Sequence, residues 1–447
     1  MGFCNSKIVL SVTKLVECVF KFFVNLLAVF IPTKNGRHYV RSLTISMRKR
    51  TSLSVEDKNL TPKSFKVLNK KILLINHTNF LKNDAGNHAY LFNIVKMLKK
   101  LGYSIDFLSS EKFVPDDYKN FDELNEKYNF IDNFYLASFL NNRVKYPYSN
   151  LSWVDDDFID LFQKVIKENQ YSYIISNYIF FSDLFRFSNI PSEIKVVNIF
   201  HDFHTMQMFF YDKNFDRLGR NFEEEVKLLQ YYDRVLCISY DEKFLFEKFY
   251  PNKKFYWVPF FSESKFEISQ KKDIDLLFIG YSNIYDYNSI IWFYENVLPL
   301  LDKKTKLYIV GKVGGMIREN DNILYNKMLE DNVVFIDYAE DLDELYAKTK
   351  IAIVPMFGGT GMKVKTVSAM SYGIPIVGTL AAVDGFADKF ENGCLISDTP
   401  AVFADNIKKL LDDEDFYKKV SLKEQEYFKN HFSETNAENI LKEVLDD

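Results

Sequence analysis

From residue 70 onward, short apolar runs alternate with longer segments whose apolar residues recur every three or four positions. The runs Lys71–Ile75, Ser104–Leu108, Tyr171–Ser176, Lys195–Phe200 and Asp233–Ser239 predict buried strands. Between them, Tyr90–Leu101, ended by Gly102, and Phe222–Tyr232 have helical spacing. Past Val258-Pro259 the pattern starts again. Strands are expected at Ile274–Gly280, Lys306–Gly311, Val333–Ile336 and Ile351–Val354, with helices at Asn288–Leu301 and from Asp341, and closing helices over 412–447. Strands that alternate with helices in this way predict two parallel sheets with helices on both faces, an α/β chain of two Rossmann-like lobes with a cleft between them.

The segment before the first lobe follows a different pattern. Residues 8–31 are the most apolar stretch, yet Lys7, Lys14, Glu17, Lys21 and Asn25 recur at helical steps on one narrow stripe. Pro32 ends it, and Lys34, Arg37, Arg41, Arg48, Lys49 and Arg50 follow with no acid between Cys18 and Val55. This is the pattern of an interfacial or re-entrant helix, apolar face in the acyl region and bases on anionic headgroups. A spanning helix is long enough to be an alternative, but the charges within the stretch count against it. A buried core helix is the third reading. The start Met1-Gly2-Phe3-Cys4-Asn5-Ser6 also matches an acylation pattern that is coincidental in a bacterial chain. The expected organisation is a membrane-associating arm (1–65), an amino lobe (66–262), a carboxy lobe (263–420) and a closing helix (421–447).

Composition changes this picture little. The 447 residues carry a formal net charge of −4, which argues against nucleic acid as a partner. The 4 cysteines have neither metal nor disulfide spacing and fit a reduced, cytosol-facing protein. Asp155-Asp156-Asp157 looks like a DxD metal motif, but it precedes Phe158-Ile159 and Leu161-Phe162 at helical spacing. It reads as the acidic first turn of a helix.

The chemistry concentrates in Ile351–Thr379. An apolar run ends at Pro355; Gly358, Gly359 and Gly361 follow, then Lys363 and Lys365, a helical Val364-Val367-Met370 pattern, a Gly373-Ile374-Pro375 break and a second apolar run. A glycine turn that opens a helix leaves backbone N–H groups free where the helix dipole favours an anion, and two lysines add charge suited to phosphate. The alternative is an ordinary crossover with solvated lysines. In the amino lobe, Asn83–Asn87 forms another glycine turn before a helix, and Lys195–Phe200 runs into His201-Asp202, a histidine at a strand's carboxy edge.

Taken together, Gly359-Thr360-Gly361, Lys365, Ala369-Met370, Gly373, Pro375 and Thr379 resemble the donor-binding signature of GT-B glycosyltransferases of the family-4-like group 1. His201-Asp202 resembles that group's strand ending in His-Asp, and the order of elements follows it over residues 70–435. The resemblance implies transfer from a nucleotide-diphosphate sugar, without metal or other cofactor and with retention, to a glycan or lipid-linked acceptor. It implies donor contacts at Gly280, Gly311, Gly359, Thr360, Gly361, Met362, Lys363, Ser368 and Asp384, and acceptor contacts at Gly86 and Asn87. His201, Asp202 and Lys365 would carry the chemistry, with Asp202 fixing the His201 tautomer. At Ser368 the group usually has a glutamate for the donor ribose; a serine there leaves Asp384 as a substitute. With the basic arm, the expectation is polysaccharide or lipooligosaccharide synthesis at the cytoplasmic face of a bacterial membrane. The alternatives are a degenerate sugar-binding or assembly scaffold and, more remotely, a hydrolase or epimerase on the same fold.

Overall fold

The computed structural model describes residues 70–83, 86–109, 115–136, 148–266, 271–339 and 342–446. The expected membrane arm and its acylation pattern lie outside them. Among the described residues no helix is long and apolar enough to cross a membrane.

The amino lobe runs β1 (Lys71–Asn76), α1 (Gly86–Lys100), β2 (Ser104–Ser109), α2 (Pro115–Tyr128), β3 (Asn133–Leu136), α3 (Asp156–Glu168), β4 (Tyr173–Asn177), α4 (Ser182–Arg186), β5 (Lys195–Phe200), α5 (His204–Asp212), α6 (Phe215–Leu228), β6 (Arg234–Cys237), α7 (Tyr240–Glu247) and β7 (Lys254–Trp257). Its sheet has the order β3-β2-β1-β4-β5-β6-β7, every pair parallel. The carboxy lobe follows with β8 (Ile274–Ile279), α8 (Ile284–Asn296), β9 (Leu307–Val310), α9 (Val313–Asn320), α10 (Asn322–Glu330), β10 (Val333–Ile336), α11 (Leu342–Lys348), β11 (Thr349–Val354), α12 (Val364–Ser371), β12 (Ile376–Gly378), β13 (Leu395–Ile396) and α13 (Pro400–Asp412). This second sheet, β10-β9-β8-β11-β12-β13, is also parallel throughout. Two Rossmann-like lobes are therefore present, as the strand–helix alternation predicts.

Strands covered on both faces must be apolar along their whole length. Ile72 to Ile75 in β1 and Leu276 to Phe278 in β8 are accordingly buried. After α14 (Glu414–His431), the last helix α15 (Glu434–Asp446) docks on the amino lobe. Lys96 and Lys100 of α1 pair with its Glu434 and Glu438 at 2.9 and 2.7 Å. The Asp155–Asp157 run is structural: Asp155 caps α3 by accepting from the Phe158 amide at 2.8 Å, and its neighbours form the first turn.

In each sheet the strand order reverses once, between β1 and β4 and between β8 and β11. Ligands of open parallel sheets bind outside the carboxy ends of the strands at such reversals. In the amino lobe those ends carry Asn76, Asn177, Tyr178 and, one strand further, His201. In the carboxy lobe they carry Gly280 and the 355–363 turn.

Candidate active site in the interlobe cleft

The carboxy wall is the turn between β11 and α12. Gly359 and Gly361 have φ of +86° and +70°, the left-handed region that only glycine enters freely. Gly361 is also pressed by the other lobe. A Cβ there would lie 2.8 Å from Asp202 Oδ1 and 3.2 Å from the His201 carbonyl oxygen. Lys363 turns back into the loop, donating to the carbonyls of Gly359 and Gly361 at 3.2 and 3.1 Å, with Asp384 at 3.7 Å. Lys365 pairs with Asp286 and lies 4.8 Å over the Phe278 ring. Burial pushes both ammonium pKa values down, while Asp384 and Asp286 respectively oppose that shift.

Asp286 is a site residue that motif reading passed over. Its other oxygen accepts from the Tyr281 amide at 2.7 Å and the Asn283 side chain at 2.9 Å, so a carboxylate locked to α8 aims Lys365. The available signal was Asn283 followed three residues later by an acid, a helix-start pattern; Asn283 indeed caps α8 through the Tyr285 and Asp286 amides.

Around His201 the amino wall is aromatic. His201 is buried, and burial drives its pKa down to about 3, so it is an uncharged imidazole. Its partner is Asn177 Oδ1, 2.6 Å from Nε2. Asn177 donates through Nδ2 to Asn76 Oδ1 at 2.9 Å, which leaves its own oxygen as acceptor. His201 must therefore donate from Nε2, and Nδ1 carries the lone pair. This corrects the role expected of Asp202, which faces the other way and accepts from Thr360 Oγ1 at 3.3 Å. Successive side chains at a strand end point to opposite sides, which separates these neighbours.

Two helix N-termini meet across the cleft. A Cβ on Gly86, the first residue of α1, would be 3.6 Å from Val364, the first residue of α12. Both macrodipoles thus present their positive ends to one region. A cavity of about 280 Å³ between the lobes is lined by Phe203, Met206, Asp241 and Glu242 from the amino lobe and by Gly359, Thr360, Gly361, Asp384 and Gly385 from the carboxy lobe, among others. Burial raises Glu242 well above the carboxylate range and pushes Glu225 up to about 7. Both brace the His201–Thr205 loop, Glu242 accepting from the Phe203 amide at 3.3 Å and Glu225 from those of His204 and Thr205 at 2.9 Å.

The remaining expected residues are placed unevenly. Asn87 reaches the amino wall, donating to the Tyr178 hydroxyl at 3.1 Å. Met362 is buried under the turn, where a Cβ on Gly385 would meet it at 3.2 Å. Gly280 and Gly311 pack on each other: a Cβ on Gly311 would fall 2.2 Å from the Gly280 carbonyl oxygen. Close backbone packing between strand ends therefore requires glycine at 311. Ser368 is not among the residues that line the cavity and lies beside the buried Tyr346. Asp384, in contrast, lines the cavity.

Comparison with known proteins agrees with this architecture. Residues 273–413 match the family model described as "Glycosyl transferases group 1". No curated protein matches the chain. Among solved structures, HepE from Anabaena bound to UDP superposes with a TM-score of 0.62 at 13% identity, covering 84% of this chain and 99% of that one. Sucrose-phosphate synthase from Thermosynechococcus elongatus gives 0.58 at 14% identity, covering 84% and 98%. The pneumococcal O-GlcNAc transferase GtfA, solved with UDP and GlcNAc, gives 0.59 at 12% identity over the same shares. Residues 273–413 thus match the glycosyl transferases group 1, and the chain around them has the GT-B fold of these solved structures.

Proposed function

We propose that this protein transfers a sugar from a nucleotide-diphosphate sugar to a glycan or lipid-linked acceptor, with the diphosphate held at the carboxy wall. The observation that carries this reading is the meeting of the α1 and α12 N-termini at the turn that carries Lys363 and Lys365 and whose Gly359, Thr360 and Gly361 line the interlobe cavity. As the bond from the anomeric carbon to the diphosphate breaks, negative charge grows on the leaving oxygens. Preorganised amides, dipoles and ammonium groups lower that barrier with no covalent or metal step. In the present arrangement Asp286 and Asp384 occupy the two ammonium groups, and an incoming diphosphate competes with them. The structures of HepE and GtfA with UDP support a uridine nucleotide as the first donor to test.

The acceptor enters from the amino wall, where neutral His201 offers Nδ1 to a sugar hydroxyl. Asp384, half-exposed on the cavity wall, takes the ribose role that Ser368 cannot fill. Retention of configuration follows from the family resemblance. The basic arm over 1–65 supports work at the cytoplasmic face of an anionic membrane, in assembly of a surface glycan.

A panel of nucleotide sugars tested for protection against thermal unfolding examines the donor claim, since a ligand that binds only the folded state raises the melting temperature. A uridine-diphosphate sugar should protect, and Lys365→Ala should abolish transfer. Full activity in that variant would refute the donor-site assignment. Protection without transfer to any acceptor would instead favour the sugar-binding scaffold.

A further inference from the structure

We infer that the carboxy edge of the amino-lobe sheet carries an aromatic platform for a sugar ring of the acceptor, centred on Trp153 and Tyr178. This rests on the transferase reading and narrows its acceptor to a molecule that is already glycosylated.

Tyr178 follows β4 at the strand-order reversal with φ 78° and ψ 150°. That backbone region is essentially restricted to glycine, so the surrounding fold must hold a bulky residue in it. The conformation lays the Tyr178 ring nearly parallel on His201, with centroids 4.5 Å apart and planes at 25°. It also brings the hydroxyl to Asn87. Asn87 donates that bond, so the phenolic proton remains to be given to something else. Burial pushes the Tyr178 pKa up to about 12, which keeps that proton in place.

Trp153 extends the surface outward. Its ring lies 5.6 Å from Tyr178, 4.2 Å from Phe180 and 4.3 Å from His77, and it is nonetheless 38% exposed. Its backbone is fixed by a 2.9 Å bond from its amide to the Phe180 carbonyl. His77 Nδ1 beneath it is buried with no hydrogen-bond partner. An exposed indole held rigidly, next to an unused phenolic donor, presents both kinds of contact a pyranose needs. The negative π face attracts the polarised C–H face of the ring, and the polar groups take its hydroxyls. A polyprenyl phosphate without a sugar has no ring to place there. The step is therefore extension of a glycan, and an earlier glycosyl transfer must supply the acceptor.

The full chain can be titrated with methyl glycosides and disaccharides while intrinsic tryptophan fluorescence is followed. Trp257 and Trp292 remain as internal references. We expect at least one saccharide to shift the emission of the wild type and not of Trp153→Ala. In transfer assays Trp153→Ala should raise the KM for that acceptor about tenfold, the scale of a lost stacking contact. Trp153→Phe should restore most of it. Nucleotide-sugar protection and hydrolysis of the donor by water should stay within about twofold in all three proteins, because the donor wall is untouched. An unchanged acceptor KM in Trp153→Ala, no saccharide response in the wild type, or transfer only to a polyprenyl phosphate would each overturn the platform. Failure of the wild type to bind any nucleotide sugar would instead refute the transferase reading beneath it.

Discussion

The two walls of the cleft are built from different materials. The carboxy wall holds Lys363 and Lys365, each kept in place by a carboxylate, and its turn is shaped by glycines with positive φ. The amino wall sets an uncharged histidine in an asparagine relay and packs it against tyrosine. The difference follows the chemistry each side must perform. A departing diphosphate gains charge and is stabilised by fixed positive groups, whereas a sugar acceptor is neutral and is held by stacking and directed hydrogen bonds.

The largest effect should come from breaking the charged side. Lys365→Ala leaves Asp286 buried without its partner and removes a cation from the leaving group. Transfer should fall on the order of 100-fold or more, as for loss of a preorganised donor. Steady-state kinetics with near-normal activity would contradict the assignment. Next is the seam between the walls. Gly361→Ala forces a side chain into the left-handed region and against Asp202. It should lower kcat by roughly 10- to 100-fold through misplacement of the turn, with the secondary structure seen by circular dichroism intact.

A smaller effect sharpens the account of the ribose. Ser368→Glu restores the residue usual in the group, but here it pushes a carboxyl toward buried Tyr346. Thermal melts should show a loss of about 1–3 kcal/mol for the poorly satisfied group, and calorimetry should show no tighter nucleotide binding. Tighter binding would mean that position 368 does reach the donor.

The smallest effect concerns the neutral side. Burial holds His77 down at about 4 against a usual 6.5, so on acidification the unfolded chain takes up the proton first. The stability contributed by neutral His77 is complete above about 6.5 and is lost as pH falls toward about 4. His77→Phe keeps the stack with Trp153 and has no proton to gain. Its melting temperature relative to wild type should rise by a few degrees between pH 7.5 and pH 5. A constant difference would show that His77 is not neutral in the folded state.

Much of the carboxy lobe was legible because its signals are local. A glycine turn between an apolar strand and a helix announces itself within Ile351–Val367, and the strand–helix alternation announces the fold. The amino wall was less legible because its partners are distant in the chain. Nothing near His201 indicates that Asn177 and Asn76, from two other strands, set its tautomer. Adjacency suggested Asp202, and strand geometry separates the two. No local sequence signal marks Tyr178, since the backbone angle that sets it apart is imposed by the fold. Ser368 stood out as a departure from a pattern, but its place beside Tyr346 depends on how α11 packs against α12.

The division of labour between the walls is tested most directly by calorimetric titration of one uridine-diphosphate sugar into wild type, Lys363→Ala and Trp153→Ala. Lys363→Ala should weaken binding about tenfold or more, the loss of one buried charge contact. Trp153→Ala should bind within about twofold of wild type. Equal losses in both variants, or a loss confined to Trp153→Ala, would contradict the placement of the donor on the charged carboxy wall.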